Sequence, residues 1–146
     1  MRPLYESSAD RGREAAAAER LATALGAKVH KLTGQYARLD HMLVLPGNGH
    51  AFVEIKCRNV GIGAYPTLMI SAAKWREGIS MAEATGGKFL IMAAYKDGDM
   101  VYVFDRRDLE SKAIWCEFGG RTTNTRDTGD IEPVMQIPTR LMLPLI

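Results

Sequence analysis

Cysteine is scarce in this sequence. Cys57 and Cys116 are the only two in 146 residues, and their spacing matches no metal motif. A disulfide-built scaffold is thereby excluded, and reduced thiols in a cytoplasmic protein are expected. Histidine is equally sparse: His30, His41 and His50 share neither a face nor a ligand spacing, so each reads as a surface or sheet residue. No apolar run approaches the roughly 20 residues of a membrane span, and the opening MRPLYESSADRGRE does not read as a signal peptide. Charge of one sign is also lacking. The net charge is +2 and the pI about 8.6, which permits a nucleic-acid partner without arguing for one. There is no internal repeat, and the run Ala15–Ala18 is the only low-complexity stretch. What remains is ordinary: 47% hydrophobic and 25% charged residues, enough for a single domain over 1–146. Its core is expected over about 10–118, with a loop and extension over 119–146.

The informative stretch is RLDHMLVLPGNGHAFVEIKCR, from Arg38 to Arg58. Pro46, Gly47, Asn48 and Gly49 are turn residues between two apolar runs, which predicts a hairpin. Alternation puts Glu54 and Lys56 on one face and Val53, Ile55 and Cys57 on the other. With the hairpin centred near Asn48, Asp40 is expected opposite Lys56 and Met42 opposite Glu54. Asp40 and Glu54 are then diagonal neighbours on one face, about 7–8 Å apart. Two carboxylates so placed can share one hard cation at about 2.1 Å per oxygen, as Mg²⁺ favours. Acids and a lysine on otherwise apolar strands are seldom buried unless paired or bound to metal.

The rest of the chain frames this hairpin. A helix capped by Ser8 or Asp10 should run to about Leu25 and end at Gly26. Its face Glu14, Ala18, Leu21, Leu25 begins with an acid. That acid either complements the helix dipole or points at the pocket. A short strand is expected over Ala27–Leu32. The stretch CRNVGIGAYPTLMIS after Lys56 is too Gly-rich for a regular element. It reads either as a plain connection or as a loop closing on a nucleic-acid strand, with Arg58 on phosphate and Tyr65 stacking. Ser71–Thr85 reads as a helix with Trp75 in its core face and Lys74 at the flank, either solvated or on phosphate. Lys88–Tyr95 and Met100–Phe104 predict a second hairpin, the first strand buried on both faces. Arg106–Leu109 breaks away, and Lys112–Phe118 can form one more strand. GGRTTNTRDTGDIEP is a polar loop carrying Arg121 and Arg126, either a surface loop or an arm for DNA or a partner.

The order Asp40, hairpin, Glu54-Ile55-Lys56, with a helical Glu14 upstream, resembles the PD-(D/E)XK nuclease superfamily. The resemblance spans about residues 10–105, and Leu39 stands where the signature has proline. It implies an α/β, restriction-endonuclease-like core in which a mixed central sheet is flanked by helices, in the order αβββαββ. It further implies that Asp40, Glu54 and the Ile55 backbone carbonyl hold Mg²⁺, with Mn²⁺ able to substitute. Lys56 would orient the attacking water or stabilise the developing anion, and Glu14 would assist. The expected activity is Mg²⁺-dependent hydrolysis of DNA phosphodiester bonds, in a chain of phage or prophage type. Two alternatives stay open: a Holliday junction resolvase acting as a homodimer, and a non-catalytic DNA-binding or assembly protein on the same fold. Beneath these lies the plain reading that Glu54 and Lys56 pair on a half-exposed sheet face.

Overall fold

The computed structural model describes residues 8–32, 39–120 and 131–145. Helix α1, Ser8–Leu25, is rich in alanine and ends at Gly26, whose φ of +64° suits glycine. No side chain is described at Ser8 or Asp10, so the expected cap lies outside the described side chains. Ala17, Ala18, Leu21 and Ala22 are buried, while Leu25 is 38% exposed. The contact face is therefore broader than the stripe through Leu25. Small alanines beside Leu21 let the helix lie close to the sheet, and Leu21, fully buried, contributes about 1.5–3 kcal/mol.

The main sheet contains β1 (Lys28–Lys31), β2 (His41–Val44), β3 (His50–Cys57), β5 (Lys88–Tyr95), β6 (Gly98–Val103) and β9 (Leu143–Pro144), in the order β1-β2-β3-β5-β6-β9. Strands β3 and β5 pair in parallel and every other neighbour is antiparallel, so the sheet is mixed. The parallel pair is joined through helix α2, Ala72–Thr85. Two cores result. Leu43, Val53, Ile55, Leu90 and Met92 pack under α1, whereas Phe52, Phe89, Ile91, Ala93 and Tyr102 pack with Trp75 of α2. Covered on both faces, β5 is buried from Phe89 through Ala94, as its unbroken apolar run requires.

Three elements differ from expectation. The last residues of the Gly-rich connection form β4, Thr67–Ser71. It belongs to a second, three-stranded antiparallel sheet with β7 (Trp115–Gly120) and β8 (Ile131–Pro138), in the order β4-β8-β7. Its partner lies far downstream, with Thr67 facing Pro138, and no local pattern announces such a pairing. The strand expected over Lys112–Phe118 starts later, at Trp115. Arg106–Glu110 forms a short helix, α3, because the Asp105 carboxylate caps it by accepting from the Arg107 N–H at 2.9 Å. The C-terminal segment folds back: Met135, Ile137 and Met142 join the core around Trp75.

Candidate active site

The hairpin pairs His41 with Val53, Met42 with Phe52 and Val44 with His50. Carried one step further, this ladder brings Asp40 level with Glu54, not with Lys56 as expected. The turn explains the shift. It centres on Gly47, at φ +81°, and closes through the Leu45 N–H donating to the Gly49 carbonyl at 2.7 Å. Moving the centre by one residue moves the pairing by two, so every side chain keeps its face. A directly opposed pair approaches to about 4.5–5.5 Å at Cβ, closer than the diagonal. Asp40 is held by its own carbonyl, which accepts from the Leu32 N–H at 2.7 Å. Leu39, at the position of the signature proline, is wholly buried in the α2-side core.

Glu54 is only 2% exposed, in the middle of β3. A carboxylate so buried is costly unless answered by charge. Two ammonium groups answer it: Lys56 Nζ and Lys74 Nζ each lie 3.4 Å from the same oxygen, Oε1. Lys56 is local, two residues along the strand. Lys74 arrives from the first turn of α2, with 35% of its side chain still exposed. Burial pushes the Lys74 pKa down, but the charges of Glu54, Asp40 and Glu14 outweigh it and raise the pKa above its ordinary value. The three acids expected at the pocket thus all act on one ammonium group. Glu14 is half-buried on α1, and its charge is also felt at Cys57.

The other expected site residues are placed as follows. Ile55 is buried among the α1-side apolar residues, with its backbone in the parallel ladder opposite Met92. Arg58 is half-buried, and its Nη2 donates to the Met69 carbonyl at 2.9 Å. Burial lowers its pKa. Tyr65 stands 64% exposed on the connection to β4. Arg121 and Arg126 lie outside the described residues. His41, beside Asp40, turns to the opposite face as alternation requires. It is 5% exposed, and among the described residues its Nδ1 has no hydrogen-bond partner. Burial lowers its pKa, with the Asp40 charge pulling the other way.

Among the described residues no group of three or more His, Cys, Asp or Glu side chains gathers at metal-binding distance. What the hairpin offers is two hard carboxylates on neighbouring strands and one face. That donor set fits an oxygen-preferring divalent cation, which completes its shell with backbone carbonyls and water. Sequence reasoning missed Lys74 as a partner of Glu54. The available signal was its position one residue before Trp75, at the start of the helix that crosses the sheet.

The fold is of the restriction-endonuclease-like class: it resembles that of Hjc, a Holliday junction resolvase from the archaeal hyperthermophile Archaeoglobus fulgidus. The TM-score is 0.57 at 16% identity, over 90% of this chain and 96% of that one. At this identity the likeness concerns the fold alone. No curated protein matches the sequence. A family model does, over residues 1–145: the chain belongs to the PD-(D/E)XK family described as "Phage putative PDDEXK endonuclease".

Proposed function

We propose that this chain is a Mg²⁺-dependent deoxyribonuclease that hydrolyses phosphodiester bonds to leave a 5′-phosphate and a 3′-hydroxyl. The observation that carries the reading is the Glu54 carboxylate, buried in the sheet, level with Asp40 and held between Lys56 and Lys74. A structural ion pair needs one cation. Two converging on one oxygen suit a site that must also receive an anion. Asp40, Glu54 and the Ile55 carbonyl would hold the divalent cation, with Mn²⁺ able to replace Mg²⁺. When bound, it supplies Lewis acidity at the scissile phosphate.

The protein's own residues do the rest. Lys56 orients the attacking water and offsets the negative charge that develops on the phosphoryl oxygens. Lys74 holds the Glu54 carboxylate from the α2 side, and it lowers the repulsion that two carboxylates would present to a phosphodiester. Glu14 adds to the acidic field from the α1 side. The substrate class is DNA, and the expected setting is the cytoplasm.

A second reading, a junction resolvase working as a homodimer, is favoured by the fold likeness to Hjc. One experiment tests both. Linear duplex, closed circular, single-stranded and four-way-junction DNA are incubated with Mg²⁺, Mn²⁺ or EDTA, with Lys56→Met as control. Metal-dependent cutting that vanishes in the control supports the nuclease. Symmetrical cutting of junctions by a fixed dimer selects the resolvase. Binding without cutting selects a non-catalytic DNA-binding protein on this fold and overturns the proposal.

A further inference from the structure

Strand β7, Trp115–Gly120, closes the three-stranded sheet on one side, and among the described residues no strand pairs with its outer edge. Which main-chain groups line that edge follows from β8. The Thr139 N–H donates to the Pro66 carbonyl at 3.0 Å, continuing the ladder in which Thr67 faces Pro138. Odd-numbered residues of β8 therefore turn their main chain to β4, and even-numbered ones to β7. Pro133 and Pro138 agree, because their missing N–H groups would point past the ends of β4 and β7. On β7 the bonded residues are then Trp115, Glu117 and Gly119, which face Gln136, Val134 and Glu132. Cys116, Phe118 and Gly120 turn their N–H and C=O groups outward.

A free edge usually carries a lysine, a proline or a bulge that keeps other strands away. This one has none: its sequence is WCEFGG and its ladder to β8 is unbroken. Phe118 stands 79% exposed, and Trp115 and Cys116 are exposed as well. A second copy of the chain offers the same edge, and antiparallel pairing sets outward residues against outward residues. Cys116 against Phe118 would place Glu117 opposite the other Glu117, a repulsive pair. Cys116 against Cys116 would set Phe118 against Ile114, which is buried and whose N–H already donates to the Asp108 carbonyl at 3.1 Å. Registers centred beyond Phe118 pair fewer residues of the strand. Phe118 against Phe118 has none of these faults. Gly120 then faces Cys116, Glu117 faces Gly119, and about six main-chain hydrogen bonds form.

We propose that a second copy of this chain docks edge to edge on β7, antiparallel, with Phe118 on the two-fold axis. The result is an isologous dimer joined by one continuous sheet. The axis stands perpendicular to that sheet, so each face keeps its side and both α2 helices lie on the same one. Ser71, which leads into α2, sits on the rung that runs through Val134 to Glu117. Crossing β8 and β7 in each copy separates the two β4 strands by about 24 Å, at about 4.8 Å per strand. The pairing rests on the edge alone. Only the reading of the two α2 helices as walls of two active sites rests on the proposed nuclease.

Sedimentation velocity of the full chain, without DNA or metal, should show a monomer–dimer equilibrium. Phe118→Lys, at an exposed site, should weaken the dimer about tenfold, because an aromatic pair becomes two opposed like charges. Cys116→Pro removes an outward N–H and no ladder bond, and it should weaken the dimer too. Both variants should keep the wild-type circular dichroism. The register is read by oxidising chains that carry one thiol. With Cys57→Ser and Cys116→Ser, Phe118→Cys should form an interchain disulfide, its Cα atoms lying about 5.5 Å apart. Cys116 in the Cys57→Ser chain should not, at about 14 Å. A monomer throughout a micromolar-to-millimolar series, or a dimer that both variants leave intact, overturns the proposal. Faster linkage through Cys116 removes Phe118 from the axis. DNA cleavage is scored separately. A β7 dimer that cuts nothing sinks the nuclease reading alone, and cutting by a monomer sinks the pairing alone.

Discussion

Glu54 and Lys74 lie 20 residues apart in the chain, and Oε1 of one is 3.4 Å from Nζ of the other. The contact ties the middle of β3 to the first turn of α2, the helix that carries the chain across to the parallel partner β5. Lys56 reaches the same oxygen from within the strand. One lysine is therefore placed by local geometry and the other by the crossover.

The two lysines should separate in mutagenesis. Lys56→Met is expected to abolish cleavage, in keeping with the roughly 10²–10³-fold cost of removing one electrostatic stabiliser from an active site. Lys74→Met should reduce turnover less, because Lys56 remains on Glu54. Both should melt cooperatively near wild type, since each lysine is partly exposed. Wild-type turnover in Lys56→Met would refute the assigned role.

Asp40→Asn and Glu54→Gln should each abolish Mn²⁺ binding measured by calorimetry. In EDTA, Glu54→Gln should bind DNA more tightly than wild type, because a negative charge leaves the phosphate path while both lysines stay. Retained Mn²⁺ affinity in both variants would move the metal site elsewhere.

Gly78 faces the core on α2, and a Cβ there would fall 2.3–2.5 Å from the ring atoms of Phe89. Phe89 is 2% exposed and packed edge-on against Trp75, so it has little room to yield. Gly78→Ala gains up to about 1 kcal/mol in helix propensity, yet overpacking costs about 1–3 kcal/mol. The expected result is net destabilisation in urea titration, with lowered activity because the same helix holds Lys74.

Tyr102 is buried and donates from its hydroxyl to Asp108 Oδ2 at 2.6 Å. Burial, reinforced by Asp108, raises the phenol pKa far above its ordinary value. The native state thus holds this proton where the unfolded chain has lost it. The contribution is complete below about pH 10, the unfolded value, and is lost as the pH climbs toward the native one. Tyr102→Phe should cost about 1.5 kcal/mol at pH 8 and flatten the fall in stability above pH 10, read from urea midpoints. An identical alkaline slope in wild type and variant would remove Tyr102 as its source.

Local order was legible because it obeys short periods. Alternation along β3 set Glu54 and Lys56 on one face and Val53, Ile55 and Cys57 on the other, whatever the partner strand. The Pro46–Gly49 turn announced the hairpin. The seven-residue apolar run Phe89–Tyr95 announced a strand covered on both sides. Even the misplaced turn centre left the faces intact, because a register shift of two preserves parity.

Tertiary structure decided whatever depended on residues distant in sequence. Asp40 comes level with Glu54 because Gly47, and not Asn48, centres the turn. Thr67–Ser71 becomes a strand only because β8 pairs with it from far downstream. Lys74 meets Glu54 because α2 packs on β3 and β5, a placement set by Trp75 and Phe89 in the core. Periodicity is a property of one segment and can be read from it. Contact between segments is chosen by the packing of all of them, so the sequence alone named Asp40, Glu54, Lys56 and Lys74 as candidates, and the fold supplied the contact between Lys74 and Glu54.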